Sequence, residues 1–403
     1  MPPNLLGNRD LIRDINRSNV LNTIKMYGPL GRAEIARRTG LSPATITGIT
    51  AELIGKNLVL EKSPGDSSGG RPPIMLALNP SGGFVIGIKL TENSAIAALT
   101  DLEATVIAKS TTALSGNKPA QVVQDLNQVV NSLVESSGVP KKQLLGVGIG
   151  LAGIVDSARG ILRQSPISGW QDVPLRDLLK RKLRVMTTIE NDVNTLTLAE
   201  KYFGSGQGVD HFLVVTVGRG VGLGIVMNGR FYHGAGGGAG EFGHTVIDPL
   251  GPACACGKHG CLETFVADPG LVRMANESAG RGELAHPVTD VCELLALANA
   301  GDAAAQAIFG RAGRILGQSV VNLIALFNPQ KIIFSGEGTR AGDFLFKPMC
   351  AAIEELALPR LLQDAKIQID PWGDDAWARG AASLVLRELF EPPVLSAPGL
   401  LNP

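Results

Sequence analysis

Past the midpoint of the chain, His244 precedes a run that reads Cys254-Ala-Cys-Gly-Lys-His-Gly-Cys. Three thiolates and one imidazole satisfy tetrahedral zinc and leave no position for a substrate, so the set reads as a structural metal site. His259, inside the run, is a competing nitrogen ligand, and a metal-free cluster of buried thiols is the plainer alternative. Crowding three of the five cysteines into one stretch is unlike the dispersed pattern of a disulfide framework. Zinc there would fix the loop that carries Glu241, His244 and Glu263. These residues, with Glu190-Asn-Asp-Val-Asn at the end of an apolar run, make a second group of carboxylates and amides. Such groups make paired hydrogen bonds to adjacent hydroxyls, which is how a polyol is held in preference to water. Asp192 could also take a hydroxyl proton if a phosphoryl donor were present. Read alone, it is a helix cap.

The elements that must position these residues are those of an α/β protein. Apolar runs at 84–90, 144–151, 186–190, 212–217, 224–226 and 331–335 read as strands alternating with helical stretches. Within 121–134, Val122, Val123, Leu126, Val129, Val130, Leu133 and Val134 keep helical spacing, so this helix should lie on a sheet. The apolar hairpin at 85–99 has a counterpart at 212–226, which points to an internal duplication. A tract reading Glu61-Lys-Ser-Pro-Gly-Asp-Ser-Ser-Gly-Gly-Arg-Pro-Pro interrupts any regular element and closes a first domain. The organisation expected is a head over residues 1–80, a body over 81–390 in two lobes, and a disordered Pro-rich tail over 391–403. At 403 residues and 44% hydrophobic, the chain can bury a large core. Net charge is zero, but residues 1–80 hold 10 Lys or Arg against 6 Asp or Glu, leaving 27 against 31 for the body. With no apolar run of membrane-spanning length and no signal-peptide core, a cytoplasmic location is expected.

The mildly basic head carries Gly31-Arg-Ala-Glu-Ile-Ala-Arg-Arg-Thr-Gly-Leu-Ser-Pro-Ala-Thr-Ile-Thr-Gly-Ile-Thr, the spacing of two short helices joined by a tight turn. Gly40 permits the turn, and Ser42 followed by Pro43 starts the second helix as cap and first-turn proline. Ile46, Ile49 and Leu53 would be buried, leaving Ser42, Ala44, Thr45, Thr47 and Gly48 for a DNA major groove. Strands flanking the Pro-rich tract would make a wing with Arg71 near its tip, while Arg32, Arg37, Arg38 and Lys56 would meet phosphates. The plainer reading is an α-hairpin used for packing or protein contact.

Five segments carry a resemblance. Gly148-Ile-Gly-Leu-Ala-Gly-Ile-Val-Asp, Glu190-Asn-Asp-Val-Asn, Thr216-Val-Gly-Arg-Gly-Val-Gly-Leu-Gly, Gly238-Ala-Gly-Glu-Phe-Gly-His and Cys254-Ala-Cys-Gly-Lys-His-Gly-Cys-Leu-Glu resemble, in order, the signature segments of the ROK family, over residues 16–389. That family joins sugar kinases of the actin and hexokinase-like fold, a duplicated ribonuclease H-like body, with sugar-responsive transcriptional repressors. The resemblance implies Asn191, Asp192, Glu241, His244 and Glu263 as sugar-binding residues, and His244, Cys254, Cys256 and Cys261 as zinc ligands. It also implies a dimer or tetramer, and a two-fold dimer would read a near-palindromic operator.

The nucleotide-side segments depart from the kinase pattern. ROK kinases carry in the first hairpin an Asp and a Gly-Gly-Thr turn that meets ATP phosphates, whereas this chain has Lys89-Leu-Thr-Glu-Asn. Arg219 stands where the kinases usually carry Thr, and Glu337 lies inside the later glycine-rich segment. Phosphoryl transfer depends on neutralising phosphate charge, so neither ATP nor magnesium is expected as a cofactor. The sequence therefore reads as a sugar-responsive DNA-binding regulator, with a winged helix-turn-helix head on a silent kinase-like body. An ATP-dependent sugar kinase with Asp192 as base is the second reading. Ser165, Pro166 and Trp170 are expected near the ligand.

Overall fold

The chain divides into two units, Met1–Thr195 with Trp377–Pro403 and Leu196–Ala376. The computed structural model describes residues 9–62, 73–165, 169–371 and 375–390. Unit 1 opens with α1 (Arg9–Tyr27), β1 (Leu30–Gly31), α2 (Arg32–Thr39), α3 (Pro43–Gly55), β2 (Val59–Lys62) and β3 (Met75–Leu78). Gly40, at φ 71°, ends α2 in the left-handed region that its missing Cβ permits. Ser42 caps α3 by accepting the Thr45 N–H at 3.2 Å, and Pro43 fills the first turn. Val20, Leu21 and Ile24 of α1, Ile35 of α2, and Ile46, Ile49 and Leu53 of α3 are buried. β3 pairs antiparallel with both β1 and β2, so two strands flank the Pro-rich tract as expected. Residues 63–72, Arg71 among them, lie outside the described residues.

The chain continues through β4 (Phe84–Leu90), β5 (Ser94–Thr100), β6 (Val106–Ala113), α4 (Pro119–Ser137) and β7 (Leu144–Leu151). A small antiparallel sheet of β8 (Ile154–Asp156), β9 (Ile161–Gln164) and β10 (Gln171–Val173) precedes α5 (Leu175–Leu183) and β11 (Met186–Asn191). α6 (Asp192–Phe203) carries the chain into unit 2. There follow β12 (Phe212–Val217), β13 (Val221–Met227), β14 (Arg230–Phe231), α7 (Glu263–Val266), α8 (Asp268–Gly280), α9 (Val291–Asn299) and α10 (Ala303–Phe327). Unit 2 closes with β15 (Lys331–Ser335), α11 (Asp343–Leu356), α12 (Pro359–Asp364) and β16 (Lys366–Ile369), and α13 (Asp375–Phe390) returns to unit 1. Among the described residues no helix is long and apolar enough to cross a membrane.

The two main sheets share one plan. Unit 1 orders its strands β11-β7-β4-β5-β6 and unit 2 orders them β16-β15-β12-β13-β14, each with an antiparallel hairpin beginning at the central strand and two parallel strands beyond it. The duplication anticipated from two hairpins thus extends to whole sheets. α4 buries its valine and leucine stripe over β5 and β6, as its spacing requires. Gly87 and Gly148 face α13, where any side chain would run into the backbone of Ala378 and Ala381. In unit 2, buried residues of α8, α10 and α11 cover Leu213, Val215, Ile332 and Phe334. β6 escapes the sequence pattern because its residues are alternately exposed and half-buried with no apolar run.

Candidate ligand and metal site

His244 ends a 3-10 turn, and two isolated bridges, Val246 to Cys261 and Ala253 to His259, fold the following loop back on itself. This brings one ligand atom from each of His244, Cys254, Cys256 and Cys261 within 4.8 Å of one another. Cys254 Sγ lies 3.5 Å from His244 Nδ1, and Cys256 Sγ lies 3.6 Å from Cys261 Sγ. Burial pushes the Cys261 thiol up to about 12 and raises that of Cys254. Thiols this close cannot all ionise without a cation to offset their charge, so the donor set fits a metal ion. His259 stays apart, with Nδ1 3.3 Å from the Gly251 carbonyl.

Two carboxylates extend this set. Glu241 Oε2 is 3.8 Å from His244 Nε2, and Glu263 Oε1 is 4.0 Å from Cys254 Sγ. Glu263 begins α7, and its other oxygen accepts the Val221 N–H at 3.4 Å. The structure therefore brings Glu241, His244 and Glu263 together around the cysteine loop.

In unit 1, Asn191 and Asp192 sit where β11 becomes α6. Asn191, rather than Asp192, fills the capping role: its Oδ1 accepts the N–H groups of Val193 at 2.8 Å and Asn194 at 3.2 Å. Its Nδ2 donates to the Gly153 carbonyl at 3.0 Å, so one amide hydrogen is left for a ligand. Behind it, buried Glu190 accepts hydrogen bonds from Ser157 Oγ at 2.8 Å, the Asn191 N–H at 2.8 Å and Asn194 Nδ2 at 3.0 Å. Sequence reasoning gave Glu190 no role of its own; its signal was a carboxylate closing an apolar strand. Trp170 lies deep in unit 1. It is 7% exposed, packs into the unit 1 core and spends its indole N–H on the Asn117 carbonyl at 2.6 Å. With Ser165, Thr91 and Glu92 it lines a cavity of about 30 Å³, room for little more than water. Pro166 lies outside the described residues.

The turns that the resemblance assigns to phosphate have side chains packed against them. Between β4 and β5, Thr91 accepts the Ser94 N–H through Oγ1 at 3.1 Å, and its own N–H donates to the Ser94 carbonyl at 2.9 Å. Lys89 Nζ rests 4.0 Å from the centroid of the Trp377 ring. Between β12 and β13 the glycines persist, but a Cβ on Gly218 would lie 2.5 Å from Glu337 Oε2, and one on Gly220 would lie 2.8 Å from Glu263 Oε2. Arg340 Nη2 donates to Asp268 Oδ2 at 2.6 Å, yet burial keeps the Asp268 carboxyl above its usual range.

In the head, Ala44, Thr47 and Gly48 are exposed along α3 and Thr45 is half-buried. Their exposed face continues through Ala51 and Gly55, which the sequence reading did not include. Thr45 Oγ1 lies 2.8 Å from Ser42 Oγ, and Thr47 Oγ1 donates to the Pro43 carbonyl at 2.9 Å. Each nominated phosphate ligand in the described head already has a carboxylate: Arg32 holds Glu61, Arg37 and Arg38 hold Glu34, and Lys56 holds Glu52.

Twin sheets of this order define an α/β body of the kind found in actin-like and hexokinase-like sugar kinases. Residues 85–388 match the ROK family, and the chain belongs to it. It is 32% identical over 388 residues to the DNA-binding transcriptional dual regulator NagC of Escherichia coli (strain K12), covering 96% of this chain and 95% of that one. A ROK family transcriptional regulator, described as a homologue of the E. coli MLC protein, superposes with a TM-score of 0.86 at 30% identity, covering 96% and 99% of the two chains. A ROK family glucokinase from Streptomyces griseus, solved with glucose and AMPPNP, reaches 0.65 at 27% identity and covers 75% of this chain and 99% of its own.

Proposed function

We propose that this chain is a sugar-responsive transcriptional repressor acting in the cytoplasm, with residues 1–80 as a winged helix-turn-helix and residues 81–390 as a kinase-like body that has lost catalysis. The observation that carries the reading is one of extent. The family match begins at residue 85, the glucokinase spans three quarters of the chain, and the regulators span nearly all of it. The residues ahead of the family match carry α1, the α2–α3 pair and the strands β1, β2 and β3, which supports a helix-turn-helix with a wing.

Zinc is the ion for three thiolates and an imidazole, held by Cys254, Cys256, Cys261 and His244 in a closed structural site. Asn191, Asp192, Glu241, His244 and Glu263 bind the hydroxyls of a sugar, and His244 makes metal and sugar affinity interdependent. Glu190 is the positioning residue beneath Asn191. On DNA, α3 presents Ser42, Ala44, Thr45, Thr47 and Gly48 to the major groove, Arg32, Arg37, Arg38 and Lys56 meet phosphates, and the wing carries Arg71 near its tip. A homodimer or homotetramer reads a near-palindromic site. A sugar releases DNA only by its differential affinity for the two conformations, so the effector must bind the DNA-free form more tightly.

The test is fluorescence anisotropy of the purified protein on DNA from upstream of its own gene, against a sugar panel at two salt concentrations. Tight binding released by one sugar establishes the reading. ADP release with a hexose panel, abolished by Asp192→Asn, would replace it with the kinase.

A further inference from the structure

Arg37 and Arg38 occupy the last turn of α2, beside the start of α3, and neither is idle. Glu34, one turn earlier, accepts Arg37 Nε at 2.7 Å and Arg37 Nη2 at 2.6 Å, a two-pronged pair. The same carboxylate accepts Arg38 Nε at 2.7 Å, and the Arg38 guanidinium lies 4.3 Å from the centroid of the Tyr27 ring. A carboxylate meets a guanidinium with the same forked geometry that a phosphate uses. In a helix-turn-helix the first helix crosses the DNA backbone, so phosphates would compete for these donors.

Glu34 differs from Glu52, another paired carboxylate of the head, in what it connects. Glu52 of α3 holds Arg13 and Arg17 of α1, and so staples two helices together. Among the described residues Glu34 pairs with residues three and four places along its own helix, a kind of contact that adds little even to an isolated helix. The tertiary fold does not require it.

Resting on the reading that the head binds DNA, we propose that Glu34 is an internal stand-in for a DNA phosphate, which occupies Arg37 and Arg38 and holds the head's sequence-independent affinity down. Two arginines then bring the charge of one to the backbone. A weak general grip lets the modest free energy of a sugar suffice for release, and leaves discrimination to the exposed face of α3.

The experiment compares full-length protein with Glu34→Gln on a short duplex of arbitrary sequence, by anisotropy across a salt series from about 50 to 200 mM, where each phosphate contact adds roughly 0.9 to the slope of log K against log salt. The variant is expected to bind several-fold more tightly at the lowest salt, with a slope steeper by about 1 to 2 per head. Adding Arg37→Ala and Arg38→Ala to Glu34→Gln should erase both gains, and in the wild-type background the same pair should also lower affinity, because it leaves the Glu34 carboxylate unpaired. Glu34→Ala, checked with Glu34→Gln by thermal melting, separates the effect from any change in helix stability. Equal slopes for wild type and both Glu34 variants would overturn the proposal alone, as would a gain that survives loss of the two arginines. If neither wild type nor variants bind the duplex, the DNA-binding reading falls and the proposal with it.

Discussion

The leading hairpins of the two sheets occupy the same place in the same strand order, and each is closed in a different way. In unit 1 the turn itself has changed: no glycine remains between β4 and β5, and Thr91 ties the turn to Ser94. In unit 2 the turn keeps Gly218 and Gly220, and the obstruction comes from Glu337, on a 3-10 turn after β15, and from Glu263 on α7. Strand order depends on which residues are buried in each sheet, and it tolerates either change. Chemistry depends on a few side chains at strand ends. The duplicated frame is therefore a poor guide to activity, and the residues lying against its turns are a better one.

The units differ most in the cysteine loop, which unit 2 carries between β14 and α7 and which has no counterpart among the described residues of unit 1. Cys261→Ser should reduce bound metal from stoichiometric to near none by atomic absorption. Because metal binding is coupled to folding of the loop, the loss should destabilise unit 2 by several kcal/mol and abolish the sugar response. A metal-free variant with an intact sugar response would separate the loop from the ligand residues.

Next in size is the packing of α13. Gly148→Val drives a side chain into the Ala381 backbone, where the helix cannot move without leaving the sheet, and should cost about 3 kcal/mol in urea unfolding. Gly55→Ala, on an open face of α3, should be neutral or gain by about 0.5 kcal/mol. Equal effects at the two sites would show that Gly148 does not answer to the packing of α13.

Glu190→Gln probes the sugar side of unit 1. The substitution keeps shape but replaces one acceptor oxygen with a donor facing Ser157, Asn191 or Asn194, so it should cost about 1–3 kcal/mol and weaken the sugar response. An unchanged response in titrations of the released DNA would remove Glu190 from its positioning role.

What the sequence made legible follows the range of the interactions involved. Strands at 84–90, 144–151, 212–217 and 331–335 form where their apolar runs place them, because a buried strand states its environment residue by residue. The Ser42 cap, the Gly40 turn and the valine stripe of α4 are local patterns and were equally readable. The cluster of Cys254, Cys256 and Cys261 was readable from spacing, and His244 joins it in space. Trp170 was expected near a ligand, and its sequence context gave no sign that its ring would pack into the unit 1 core. The exchange of capping role between Asp192 and Asn191 depended on one residue of register at the end of β11. Glu34 was invisible as a partner because the cations around it were read as available for phosphate, and only the side-chain geometry shows them occupied.

The smallest predicted effect sharpens the comparison of the hairpins most. Glu337→Gly removes the carboxylate from Gly218 and returns a glycine to the segment after β15, leaving Arg219 to meet an anion while Glu263 stays against Gly220. The first turn stays tied through Thr91, with Glu92 beside it. Opening one turn of two should give weak nucleotide binding, in the millimolar range by titration with a fluorescent ADP, and no ADP release with any hexose. Transfer needs both turns, since stabilising the phosphates without neutralising their charge at the first hairpin leaves the barrier in place. Turnover in Glu337→Gly alone would show that a single carboxylate separates this regulator from a kinase. Absence of any binding would place the block in the first turn or in Glu263.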